Sequence, residues 1–194
     1  SGVPFYAAAD KHARLGRRLG WYALVRIVKP MTVVESGIDK GLGTCAIAAA
    51  LLRNQDEGLS GKVYALDIEP AAGWLIGSPY DAVVNILIGD SHKTLDQIPD
   101  PINLFIHDSD HSYMHEFEEY RIVAERSREG TLMLSDNAHK STALMDFCDQ
   151  YSLKYYFWSE RPDNEFYPAG GIGFAAMNAD PSDLTIIESD RRIN

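Results

Sequence analysis

The run Thr32-Val33-Val34 is followed at once by Glu35 and then by glycines at 37, 41 and 43. Glycine forgoes side-chain packing and loses more backbone freedom on folding than any other residue, so this density must answer a steric demand. The β-branched run reads as a strand, the glycines as a turn, and "GTCAIAAALLRNQ" as the helix that follows. Strand, glycine turn and helix in that order open an α/β sheet, where ligands bind beyond the carboxyl ends of the strands.

The rest of the chain repeats the alternation. Residues 11–29 space apolar side chains at Leu15, Leu19, Tyr22 and Val25 or Val28, which predicts an amphipathic helix stopped by Pro30. "GKVYALDIEP", "AVVNILIGDS", "INLFIHDSD" and "GTLMLSDNAH" read as strands, "YMHEFEEYRIVAERS" and "STALMDFCDQY" as helices, and "KYYFWSE" and "GGIGFAAMN" as two late strands. Alternation of this kind implies right-handed crossovers and a parallel sheet. Near-continuous apolar strands imply burial on both faces. The four charged or histidine residues of "HEFEE", 115 to 119, read as a solvated helical face.

A chain of 194 residues with 45% hydrophobic and 24% charged residues suffices for one domain, spanning 1–194, with an N-terminal helix within 1–30. No apolar run approaches the ~20 residues of a membrane span. A net charge of −10 disfavours nucleic acid, whose phosphates need a cationic surface. Two distant cysteines, Cys45 and Cys148, fit a reducing, cytoplasmic setting rather than a disulfide framework. The chain begins Ser-Gly without methionine, so a natural N-terminal segment is expected to be missing.

The glycine spacing, Gly37-x3-Gly41-x-Gly43, is not the GxGxxG of a dinucleotide site, and Glu35 would repel a pyrophosphate. A carboxylate there suits a cationic ligand. The pattern "ExGxxxGxGT", the acidic strand end at Asp67 and the segment "IGDSHKTL" resemble the class I S-adenosylmethionine-dependent methyltransferases. The resemblance implies a Rossmann-like, doubly wound, mostly parallel seven-stranded sheet with an antiparallel final strand. It implies that Glu35, Gly37 and Gly41 line the methionine end of the donor. Asp67 would take the ribose and Asp90 with Ser91 would lie near the adenine, with Thr44, Ile68 and Asp108 also among the residues that bind the donor. Asp39 stands where many members carry glycine.

"FIHDSDHSY" and "LMLSDNAH" each end an apolar strand in polar residues. Neighbouring parallel strands would gather Asp108, Asp136 and Asn137 at one edge, an oxygen set suited to Mg²⁺ or another divalent cation. The arrangement resembles the metal-dependent O-methyltransferases of the catechol and caffeoyl-coenzyme A type and the bacterial sugar O-methyltransferases. That resemblance implies Asp108, Asp136 and Asn137 as metal ligands. It implies transfer to a hydroxyl of a sugar, phenol or natural product. His111 is the expected general base and Asp110 the runner-up. A His111/His115 transition-metal site is a further alternative. Each motif also has a plain structural reading, as a turn or a helix cap. Two other functions stay open, a nucleotide-linked oxidoreductase and a non-catalytic scaffold. The expected partner is a small molecule, with a homodimer through the N-terminal helix as an alternative role for that helix.

Overall fold

The computed structural model describes residues 18–99, 101–159 and 170–177. Seven strands form one sheet: β1 (Thr32–Ser36), β2 (Lys62–Asp67), β3 (Val84–Ile88), β4 (Ile102–His107), β5 (Ser127–Ser135), β6 (Tyr155–Ser159) and β7 (Gly171–Ala176). Their spatial order is β3-β2-β1-β4-β5-β7-β6. The pairs β1–β2, β1–β4, β2–β3 and β4–β5 are parallel, whereas β7 runs antiparallel to both β5 and β6. The last strand among the described residues is therefore the antiparallel one, as expected, but it lies inside the sheet and leaves β6 at the edge.

Helices cover the sheet as the alternation requires. Helix α1 (Arg18–Val28) and α2 (Leu42–Gln55) lie on one face, α4 (Tyr113–Glu125) and α5 (Ala143–Tyr151) on the other, and the single turn α3 (Ser91–Thr94) follows β3. The part of the expected first helix before residue 18 lies outside the described residues. The strands alternate between two cores. Val33, Leu104 and Ile106 join Trp21, Val25, Ile47 and Leu51 on one side. Val34 and Phe105 join Tyr120, Met133 and Phe147 on the other. This is the period of two that places successive side chains on opposite faces.

Burial on both faces holds for the central strands and fails at the margins. Ile86 and Ile88 of β3 are exposed, as are Phe157 and Trp158 of β6. A margin strand has a neighbour on one side only, so its apolar residues answer to fewer packing partners. Among the described residues no helix is long and apolar enough to cross a membrane.

After β1 the chain builds outward through β2 and β3, then returns to place β4 on the other side of β1. The crevice at such a reversal is where open α/β sheets bind ligands.

Candidate active site

The sheet's hydrogen-bond ladder continues one residue past several strand ends. Gly37 N donates to Leu66 O, Gly89 N to Asp67 O, Asp108 N to Ser36 O and Asp136 N to His107 O, each at 2.8 Å. Asp67, Asp90, Asp108 and Asp136 therefore stand along one rim. A cavity of about 540 Å³ opens there, and Gly37, Asp67, Ile68, Asp90, Ser91 and Asp108 line it together with Asp39, Asp110 and His115. Six of the nine residues expected around the donor are in that lining. Glu35, Gly41 and Thr44 are not.

Gly37 has φ 84°, and a Cβ built on it would fall 2.2 Å from the carbonyl oxygen of Asp108. This glycine lets β1 and β4 close against each other at the crevice. Asp67 Oδ2 accepts from the backbone N–H groups of Ile38 (3.0 Å) and Asp39 (2.9 Å), and its Oδ1 accepts from Glu69 N at 2.9 Å. It holds the glycine turn in place while lining the cavity. Asp39 has φ 46°. It occupies the left-handed region that a glycine would reach at no steric cost, and aspartate is among the few side chains that tolerate it. Asp90 accepts from His92 N at 3.1 Å and so caps α3 as well.

Glu35 is 1% exposed. Its Oε2 accepts from Thr44 Oγ1 at 2.6 Å. A Cβ on Gly43 would lie 2.2 Å from Glu35 Oε1 and 2.4 Å from the Trp21 ring. The third glycine of the motif thus serves packing: it lets Trp21 of α1 and the Glu35 carboxyl meet against α2. Burial pushes the Glu35 carboxyl up to about 7, partly offset by the hydrogen bond from Thr44. A raised carboxyl pKa means the folded state holds a proton that the unfolded chain has released. The stability it confers is complete below the ordinary value of 4.5 and declines as pH rises towards 7. Glu35→Gln is neutral at every pH and should escape that loss. Relative to the parent, it is expected to gain up to about 3 kcal/mol between pH 5 and pH 8, read from urea unfolding at both values.

At the ends of β4 and β5, Asp108, His111 and Asp136 each present one ligand-type atom, all within 4.8 Å of one another. Asp136 is buried. Asn137, at φ 52°, points its amide nitrogen at both neighbours, with Nδ2 3.2 Å from His111 Nε2 and 3.0 Å from Asp136 Oδ2. The structure thus gathers the three expected ligands and the expected base at one place. It brings His111, rather than the Asn137 oxygen, into ligand position. Burial, followed by the nearby His107 and Lys140, lowers the His111 pKa and favours the neutral imidazole. Asp110 lies apart from this cluster, accepting from Ser112 N (2.9 Å) and Ser112 Oγ (3.1 Å), which hold its carboxyl below the usual range.

Helix α4 departs from the sequence expectation. Glu116 and Glu119 are buried, at 1% and 0% exposure, rather than solvated. Glu119 accepts from Ser36 Oγ (2.6 Å), pairs with His107 Nδ1 (2.6 Å) and His115 Nε2 (3.2 Å), and receives Ser109 Oγ at 3.3 Å. Burial alone would raise its pKa, but the hydrogen bonds from His107 and His115 outweigh that and hold it well below the carboxylate range. His115 is raised in turn, chiefly by Glu119. It stacks on His92 at 4.5 Å, its Nε2 lies 3.3 Å from Ser91 Oγ, and it is not part of the Asp108–His111–Asp136 cluster. A sequence signal for this did exist. Glu116 and Glu119 fall on the same helical stripe as Tyr120 and Val123, the face that α4 turns to the sheet.

Comparison with known proteins follows the same lines. No curated protein matches the chain. An O-methyltransferase from Bacillus cereus, solved with S-adenosylhomocysteine, aligns with a TM-score of 0.65 at 17% identity over 88% of this chain and 85% of that one. TomG from Streptomyces achromogenes, an O-methyltransferase involved in tomaymycin synthesis, gives 0.68 at 13% identity over 88% and 83%. An rRNA methylase from Streptococcus thermophilus gives 0.60 at 15% identity over 87% and 98%. Identities this low establish a shared fold. The family comparison is more specific: a profile described as a methyltransferase domain matches residues 34–138, from the middle of β1 through the end of the rim at Asn137. With donor crevice, glycine turn and acidic rim all inside that match, the chain belongs to the methyltransferase-domain family, as a class I S-adenosylmethionine-dependent enzyme.

Proposed function

We propose that this enzyme methylates a hydroxyl oxygen of a small molecule bound beside Asp108, His111 and Asp136. The observation that carries the reading is the double position of Asp108, which lines the donor cavity and belongs to the carboxylate–imidazole cluster. Donor and acceptor sites therefore share a wall. A net charge of −10 favours a small acceptor over a polyanionic one.

The donor's cationic end is stabilised by the acidic rim. Asp67 offers its carboxylate to the ribose hydroxyls, and Ser91 with Ile68 borders the adenine. The acceptor oxygen attacks the methyl carbon in line with its bond to sulfur. An oxygen–carbon bond forms and the carbon–sulfur bond breaks. Its electron pair passes to the sulfur, and the sulfonium becomes a neutral thioether. The hydroxyl proton goes to a base, His111 in the absence of a bound cation, with Asp110 as the alternative. Holding the two reactants about 3–3.5 Å apart supplies much of the acceleration.

The donor set of Asp108, His111 and Asp136 fits a divalent cation. Half a turn of the Asn137 amide exchanges its nitrogen for its oxygen and adds a further ligand. A cation held there supplies positive charge that makes the acceptor hydroxyl easier to ionise.

Two substitutions separate the two halves of the site. Asp67→Ala should weaken S-adenosylmethionine binding at least ~10-fold in calorimetry, an ordinary loss for a charged hydrogen-bonding partner. Asp136→Ala should leave that affinity within ~3-fold and abolish cation-stimulated turnover. Equal loss of donor affinity in both would overturn the assignment of Asp136. Donor binding with no transfer to any hydroxyl would favour a scaffold.

A further inference from the structure

The cluster differs from an all-oxygen site in one respect, the imidazole. Resting on the metal-centred reading above, we infer that His111 is itself a ligand, so that the site takes a first-row transition ion of the Mn²⁺ or Co²⁺ type in preference to Mg²⁺.

Three observations support this. The first is distance. Opposite ligands of an octahedral ion stand about 4.2 Å apart and adjacent ones about 3 Å, given bonds near 2.1 Å. The atoms of Asp108, His111 and Asp136 lie within 4.8 Å of one another, so closing on an ion needs only small side-chain movements.

The second is orientation. The His111 ring meets the His107 ring edge-to-face, 5.2 Å between centroids at 71°. His107 is itself fixed through Nδ1 to the buried Glu119. The imidazole is thus steadied by a neighbour that is anchored from behind, the kind of support that orients metal-binding side chains. Its Nδ1 is buried and has no hydrogen-bond partner among the described residues. Ligation through Nδ1 gives that nitrogen the partner the protein does not. Ligation through Nε2 requires only that the Asn137 amide turn away.

The third is donor chemistry. Magnesium prefers oxygen ligands and sheds its water reluctantly, whereas imidazole suits the first-row transition ions. Two carboxylates and one imidazole match the latter.

The test is direct binding of Co²⁺ and Mg²⁺ to the full chain, by calorimetry and by the visible absorption of Co²⁺. Rank order alone decides nothing, because an all-oxygen site also binds Co²⁺ more tightly than Mg²⁺. The decisive comparison is His111→Ala, with His111→Gln as the variant that preserves bulk and offers an amide oxygen. Both variants are expected to weaken Co²⁺ binding at least ~10-fold and to change the cobalt spectrum, with Mg²⁺ affinity moving less than ~3-fold. Donor affinity and thermal melting check that each variant is folded. Unchanged Co²⁺ binding in the variants would overturn imidazole ligation and leave the oxygen ligands standing. Equal loss of both ions would overturn the selectivity. Failure of the parent to bind either ion would overturn both this inference and the metal-centred reading beneath it.

Discussion

Gly37→Ala is expected to destabilise the protein by roughly 2–5 kcal/mol and to remove donor binding with it. Two costs add. Alanine in the left-handed region, at φ 84°, is disfavoured by about 1–2 kcal/mol. The methyl would also sit 2.2 Å from the Asp108 carbonyl oxygen and 2.6 Å from Ser109 Cα. Both are backbone atoms, so no side chain can rotate aside. Relief requires β1 and β4 to part at the donor crevice. Gly20→Ala is the matched control. Gly20 lies within α1 with no atom near its absent Cβ, so alanine there should stabilise by about 0.5–1 kcal/mol. Urea unfolding and calorimetry with S-adenosylmethionine on both variants suffice. A Gly37→Ala chain within ~0.5 kcal/mol of the parent would mean that the close approach of β1 and β4 is dispensable.

Glu119→Ala is the second large effect, expected to cost about 3–5 kcal/mol. The substitution strands the buried His107 Nδ1 and the Ser36 hydroxyl, which lose the partner that satisfies them. The parent should also show a pH signature that the variant lacks. The folded-state pKa of Glu119 is depressed, so its contribution is present above the ordinary value of 4.5 and disappears as pH falls below it. The His115 pKa is raised, so its contribution is complete below 6.5 and disappears as pH climbs past that value. The pair therefore stabilises most between about 4.5 and 6.5. Unfolding free energies measured from pH 3 to 8 should show the parent exceeding Glu119→Ala by its widest margin in that interval. A difference that is flat across the range would mean the carboxylate is not charged in the folded protein.

The strand–helix alternation was legible because it is local. Apolar runs, glycine turns and polar strand ends can be read within a few residues, and they placed Gly37, Asp67, Asp90, Asp108 and Asp136 on one rim. What escaped was long-range. Glu119 is sequestered because Ser36 and His107 arrive from two strands to meet it, and neither is near it in the chain. The stripe shared with Tyr120 and Val123 pointed inward, but four charged or titratable side chains in five positions ordinarily mean water. Glu35 went astray for a related reason. Its position was foreseen, but the burial that makes it a packed acid beneath α2 comes from Trp21 in α1. His111 was singled out as a base, and only the approach of β5 to β4 gives its imidazole the company of two carboxylates.

The hydrogen bonds that run on past the strand ends divide the molecule into parts that can change and parts that cannot. Moving any one rim residue drags its neighbours, because Gly37, Asp108 and Asp136 are each tied to the backbone of the strand beside them. Residues 139–142 give the strands no such backbone bond, and residues 70–79 are tied to the glycine turn alone, Gly73 N to Asp39 O and Leu75 N to Lys40 O, while presenting Trp74 at 68% exposure. On the proposed reading, new acceptors are acquired most cheaply by rewriting residues around Trp74 and 139–142, with Ile68 and the rim kept as they are. An engineer seeking a different product should graft there and leave the rim untouched.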